Sequence, residues 1–248
     1  MKRYLLVYNS AISKLPVKSF FQTFTSFSAS KILLSLISIA SVSFTCAQEN
    51  KQADLAYIKV ITERSAKIVN TLSIKDSVQY KNVLAVLVNQ YNSINNIHEE
   101  TKLALAAIKQ QSITAQESAL QVQKQEEKKM AQLQQLHTSF LAGLQQFISE
   151  EQIELVKNAM TYNVLHVTYT AYLDMIPTLK EDQKKKIYDW LTEARELAMD
   201  GESSDKKHAI FGKYKGRINN YLSAAGYDLT KEREEWQKRI KAKQESSK

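Results

Sequence analysis

After residue 47 this chain carries one proline, Pro177, and five glycines: Gly143, Gly201, Gly212, Gly216 and Gly226. Gly and Pro are the strongest local breakers of regular structure, and a sheet-containing domain of this size needs many more of them at its turns. Between them run long stretches of Ala, Leu, Lys, Glu and Gln, all good helix formers. The scarcity predicts an all-α fold: a multi-helix bundle with one or two long helices.

Helix starts are sought in caps. Ser73 with Asp76, Ser149 with Gln152, and Thr178 with Glu181 each place a hydroxyl three residues before a side chain able to reach back. Apolar residues at helical spacing follow, such as Ile153, Val156 and Met160, or Ile187, Trp190, Leu191 and Ala194. The predicted helices cover Ala53 to Leu72, Asp76 to Gln111 with a candidate break at Asn92 to Asn96, Ala115 to Phe147, Glu150 to Tyr162, Leu179 to Met199, Asp205 to Leu222, and Lys231 to Lys243. Gln116 to Gln135 is mostly Gln, Lys and Glu and reads as a solvated face or coiled-coil arm. From Leu136 onward, Phe140, Leu141, Leu144, Phe147 and Ile148 predict a return to the core.

The N-terminus has a different character. Residues 1–47 hold five basic residues and no acidic one, and they close on an apolar run, Ile32 to Phe44, followed by Thr45-Cys46-Ala47. Such a run is shorter than the ~20 residues a spanning helix needs. A basic start, a short apolar stretch and small exit residues predict a secretory signal cleaved after Ala47. An uncleaved anchor is the alternative, and Cys46 is a weaker candidate for lipidation. The expected domains are residues 1–47 as signal and 48–248 as one helical domain, with a long-helix half (48–148) and an aromatic-rich short-helix half (149–248). The expected location is periplasmic or secreted. Cys46 is the only cysteine, so the cleaved chain would have no disulfide and no thiol chemistry.

Cleavage also changes the charge. The full chain is +8, and loss of the signal's five cations leaves +3. The apparent basicity therefore gives no ground for nucleic acid as a partner.

Local catalytic patterns are absent from the sequence. His98, His137, His166 and His208 lie far apart, and His98-Glu99-Glu100 lacks the second histidine of a zinc-protease helix. No Gly-rich phosphate loop or nucleophile elbow occurs. We therefore nominate no catalytic residue and no metal ligand, and expect no cofactor.

Residues 159 to 229 are dense in aromatic and polar side chains. Within them, Lys213, Lys215 and Arg217 lie beside Phe211, Tyr214 and Tyr221, with Gly212 and Gly216 four apart and Asn219-Asn220 following. Two readings stand. Phe211, Tyr214, Ile218, Tyr221 and Leu222 form the buried stripe of an amphipathic helix. Alternatively, Lys213, Tyr214, Lys215, Arg217, Asn219 and Asn220 face a ligand, with His208, Tyr188, Trp190 and Asp174 as further candidates. Aromatic rings stack on sugars, amides read hydroxyls, and Arg forks a carboxylate, so an acidic glycan fits that set. In the first reading Arg217 pairs with Asp174 or Glu193.

Several strings in this region carry a family resemblance: Ala-Met-Thr-Tyr at 159 to 162, Ala171 to Pro177, Glu193-Ala194-Arg195-Glu196 with Ala198-Met199-Asp200, and Gly212 to Tyr221. They resemble domain-of-unknown-function family 3826. The resemblance implies an exported helical protein of Gram-negative, polysaccharide-degrading bacteria, without an assigned activity or catalytic residues. Ser149-Glu150-Glu151-Gln152 is also similar to a helix start of small periplasmic chaperones, although a capping box alone produces that pattern. Three functions are thus in view: a non-catalytic glycan-use accessory or binding protein, with a glycan or envelope protein as partner; a chaperone-like envelope protein; and an enzyme whose acid–base site is assembled only in three dimensions.

Overall fold

The computed structural model describes residues 55–245, and all regular structure there is helical. The signal segment, its cleavage after Ala47 and the lipidation candidate Cys46 lie outside the described residues. Helix α1 covers 55–70. It is followed by α2 (Ser77–Lys109), α3 (Ala115–Gln145), α4 (Glu150–Met160), α5 (Val164–Met175), α6 (Glu181–Met199), α7 (Ser204–Ala224) and α8 (Leu229–Glu245). Among the described residues no helix is long and apolar enough to cross a membrane.

Capping chemistry sets several of these starts. Ser149 and Gln152 exchange backbone hydrogen bonds as expected. Thr114 and Glu117 form a second box that the sequence reading did not name. Two expected caps are displaced. Ser73 sits in a left-handed conformation (φ 56°), and Asp76 caps α2 by accepting from Val78 and Gln79. The Asp76 carboxylate reaches these amides directly, whereas Ser73 lies outside the first turn. At α6 the reach-back residue is Gln183, whose side chain accepts from the Lys180 N–H, so the helix begins two residues beyond the position Thr178 would set.

Two further expectations change. α2 runs unbroken through Asn92 to Asn96, because Tyr91 and Ile94 are buried there and hold the turn in place. α5 lies in a stretch for which no helix was predicted. Its Val, Thr and Tyr residues are poor helix formers, and Asn163 provides no side-chain cap. Burial of Leu165 and Tyr172 against α6 and α7 supplies what propensity does not.

The apolar side chains form two clusters. The first joins α1 and α2 to the returning part of α3 and to α4, through Ile61, Val69, Leu87, Phe140, Leu144 and Val156. The second joins α5, α6 and α7 through Tyr172, Ile187, Leu191, Ala194, Phe211 and Ile218. α2 and α3, at 33 and 31 residues, are each nearly 50 Å long and continue as an antiparallel pair beyond the first cluster. Leu120 and Met130 are exposed on that arm, and Leu133 is the buried residue where α3 turns back inward. Helix α6 lies between the clusters. Ile187, Leu191, Ala194 and Ala198 belong to the second and Met199 to the first, so α6 carries side chains into the seam between them.

Candidate functional site

The seam holds a polar cluster built from three helices. Glu154, Lys157 and Asn158 stand at i, i+3 and i+4 on α4, which places them on one face. α6 contributes Arg195 and Glu196, Asp200 caps its end, and α3 contributes His137. Arg195 is buried and spends its guanidinium fully. Nη1 donates to Glu154 (2.7 Å) and Asn158 (2.9 Å), Nη2 to Glu196 (2.8 Å) and Glu154 (3.2 Å), and Nε to Glu196 (3.1 Å). Lys157 reaches Glu196 at 3.1 Å. His137 bridges Glu196 through Nε2 at 3.3 Å and Asp200 through Nδ1 at 3.2 Å. Beside it, His98 donates from Nε2 to the Asp200 carbonyl and meets Glu202 through Nδ1.

These contacts set the protonation states. Hydrogen bonds to Asp200 and Glu196 raise His137 to about 9, against the opposing effect of burial. Burial alone would raise Glu196, but bonds from His137 and Arg195 and the charge of Lys157 outweigh it and hold the carboxyl at about 2. The cluster thus sets three basic side chains, Arg195, Lys157 and His137, against three acidic ones, Glu154, Glu196 and Asp200. It is a charge-balanced tie between α3, α4 and α6.

None of these side chains is among the candidate binding residues named above, yet their sequence carries a signal. Arg195 is one residue beyond Ala194 and four beyond Leu191, so a charge falls on the core stripe of α6. Lys207 shows the same anomaly on α7, four residues before buried Phe211. It is buried, and its Nζ donates to the carbonyls of Met160 and Met199, the last residues of α4 and α6. Helix C-termini carry partial negative charge, which suits a cation there. Gly201 makes room for this contact: a Cβ at that position would come within 3.0 Å of Lys207 Cγ and 3.2 Å of the Ala198 carbonyl.

The nominated residues disperse to several places. Phe211, Ile218 and Leu222 are fully buried, so the stripe is core, while Tyr214 and Tyr221 lie half-buried at its edge. On that edge Arg217 stacks over Trp190 (4.4 Å to the ring centroid), Lys186 approaches the same ring at 5.3 Å, and Tyr221 meets it edge-on. Arg217 pairs with Glu193 at 3.6 Å rather than with Asp174. Burial, followed by a hydrogen bond to Glu193, pushes Tyr214 up to about 12. Tyr188 is exposed and packs edge-to-face on Tyr169.

The other candidates lie elsewhere. Asn219 accepts from the Tyr172 hydroxyl at 2.7 Å, a tie between α7 and α5. Asp174 is exposed, and its backbone carbonyl accepts from Arg239 of α8. His208 stacks on Tyr162. Lys213, Lys215 and Asn220 are exposed, and a Cβ at Gly212 or Gly216 would meet no described atom within 4 Å. The Gly pair thus admits no close approach from within the chain, because both residues lie on the outer face of α7.

Among the described residues, no group of three or more His, Cys, Asp or Glu side chains is arranged to hold a metal ion. A search of curated proteins returned no match. The family model described as "Protein of unknown function (DUF3826)" matches residues 58–242, which covers the described helices from α1 into α8. The chain belongs to the DUF3826 family.

Proposed function

We propose that this is an exported, non-catalytic protein of the cell envelope that binds acidic glycan through the α6–α7 face. The observation that carries the reading is Arg217. Its side chain is half exposed and stacked on Trp190, and its nearest carboxylate, on Glu193, stands off at 3.6 Å. A guanidinium oriented by a ring, with donors not spent inside the protein, is preorganised to fork a carboxylate. Export rests on the Lys31 to Ala47 pattern.

The seam argues against catalysis. A general acid or base works best with a pKa near the working pH. Against the opposing effect of burial, hydrogen bonds and neighbouring charges drive His137 up to about 9 and Glu196 down to about 2, so each remains ionised at pH 7. A protein partner is the second reading. It is favoured by a shallow apolar groove between α1 and α2, lined by Ile58, Leu84, Ala85 and Val88.

Calorimetric titration with glucuronate-containing oligosaccharides tests the glycan reading. Arg217→Ala should weaken binding by about tenfold, the loss of one charge-assisted hydrogen bond. Equal affinity in wild type and variant would remove Arg217 from the site, and no binding to wild type would end the glycan reading.

A further inference from the structure

We propose that Arg64, Tyr91, Tyr162, Lys207 and His208 form a second, separate binding site, one that takes the carboxylate or sulfate group of a small ligand. The residues come from α1, α2, the α4–α5 turn and α7. None of them belongs to the Arg217 face.

Four observations converge there. Two cations approach one ring: Arg64 and Lys207 each lie 5.6 Å from the Tyr91 centroid. Cation–π attraction accounts for either one alone. Placing both at one ring sets like charges against each other, and no carboxylate among the described residues forms an ion pair with either. Burial and the charge of Arg64 together depress Lys207 to about 8, and the charge of Asp200 only partly offsets them. An oxyanion between the two cations would remove the repulsion.

Arg64 is also exposed, and it makes no hydrogen bond within the described residues. Lys207 differs, since Met160 and Met199 already occupy its ammonium. Lys207 therefore contributes field, and Arg64 contributes the contacts. A structural tie between helix ends explains Lys207 but leaves Arg64 unexplained.

Tyr162 adds a conformational argument. It adopts φ 57°, an uncommon value for a bulky aromatic residue. In that conformation its ring is nearly half exposed and stacks on His208 at 5.5 Å and 12°, and after burial it is among the groups that raise Tyr91. Backbone strain that exposes a ring pair, with two cations at the neighbouring Tyr91 ring, suits a ligand with a flat or ring-shaped body.

Finally, the neighbours of Arg64 and Tyr91 in the chain are Ser65 and Gln90. Each is fully buried, with one polar atom, Ser65 Oγ and Gln90 Nε2, lacking a partner among the described residues. Buried polar groups are rarely left unpaired, and each of these adjoins a residue of the proposed site in the chain.

The test uses the full chain and two probes, sodium sulfate and sodium glucuronate, each titrated against sodium chloride at matched ionic strength. The readout is the NMR side-chain signal of Arg64 Nε–H and the ring signals of Tyr162 and His208. Sulfate also strengthens burial non-specifically, so a melting temperature alone does not decide the matter. Saturable shifts with at least one probe are expected. In Arg64→Gln the affinity should fall by about tenfold or more, and His208→Ala should weaken glucuronate more than sulfate. Both substitutions are at exposed positions, so folding is retained even where Lys207→Met disrupts it. Arg217→Ala should leave these shifts unchanged. Linear shifts without saturation, or equal affinity in Arg64→Gln, would overturn the proposal. Binding lost in Arg217→Ala and kept in Arg64→Gln would overturn it while supporting the α6–α7 face.

Discussion

Arg195 and Arg217 each face a glutamate across a helix pair, and their settings are opposite. Arg195 is 4% exposed, grips Glu154 with both terminal nitrogens and also binds Glu196 and Asn158. Arg217 is 54% exposed, stands 3.6 Å from Glu193 and rests on the Trp190 ring. The two share a residue type, a partner type and neighbouring helices. Burial turns the first into a structural tie whose removal strands its partners. Solvent keeps the second pair weak in energy and leaves the Arg217 donors open, while Trp190 orients them.

The largest expected break in this comparison is Arg195→Ala. It leaves Glu154 and Glu196 bridged by Lys157 alone. Because Glu154 is itself half exposed, the cost should be about 3 kcal/mol, near the low end for a broken buried pair. Urea denaturation measures it, and a loss under about 1 kcal/mol would move Arg195 into the same class as Arg217.

A pH series sharpens the seam side. His137 is raised in the folded state from 6.5 to about 9, so the folded protein binds the proton more tightly than the unfolded chain. Its contribution is complete below pH 6.5 and is lost as pH rises through 9. Allowing for partial solvent access, the loss should be about 2 kcal/mol. Lys207, depressed to about 8, acts in the opposite sense, adding stability from pH 8 toward 10.5. The clean window is therefore pH 6.5 to 8, where wild type should weaken and His137→Gln should stay flat. Parallel curves would show that the His137 bridges carry no net stability.

The smallest expected effect is Arg217→Ala on stability, at about 0.5 kcal/mol and fading with added salt. A loss as large as that of Arg195→Ala would make Arg217 a structural residue and weaken the case for a binding face.

Some of this was legible from residues alone. The near absence of Gly and Pro implied helices, and the Ser149–Gln152 pair marked α4 correctly. Local rules failed where a distant contact decided the outcome. Val164 to Met175 is helical because Leu165 and Tyr172 are buried by other helices, against the propensity of the segment. The stripe of Phe211, Ile218 and Leu222 was readable as core by its period. That Asn219 turns to Tyr172 while Arg217 stacks on Trp190 was not, since the partners lie 47 and 27 positions away in the chain.

The charged residues divide along the same line. Arg195 and Lys207 fall on apolar stripes, a pattern that marks a buried cation but says nothing of what compensates it. The tertiary structure decided that Arg195 meets carboxylates from α4 and α6, whereas Lys207 meets two helix ends and a ring shared with Arg64. Periodicity and turn content are local properties and survive in the sequence as spacing. Charge compensation depends on distance through space, and the packing of α6 between two apolar clusters sets those distances.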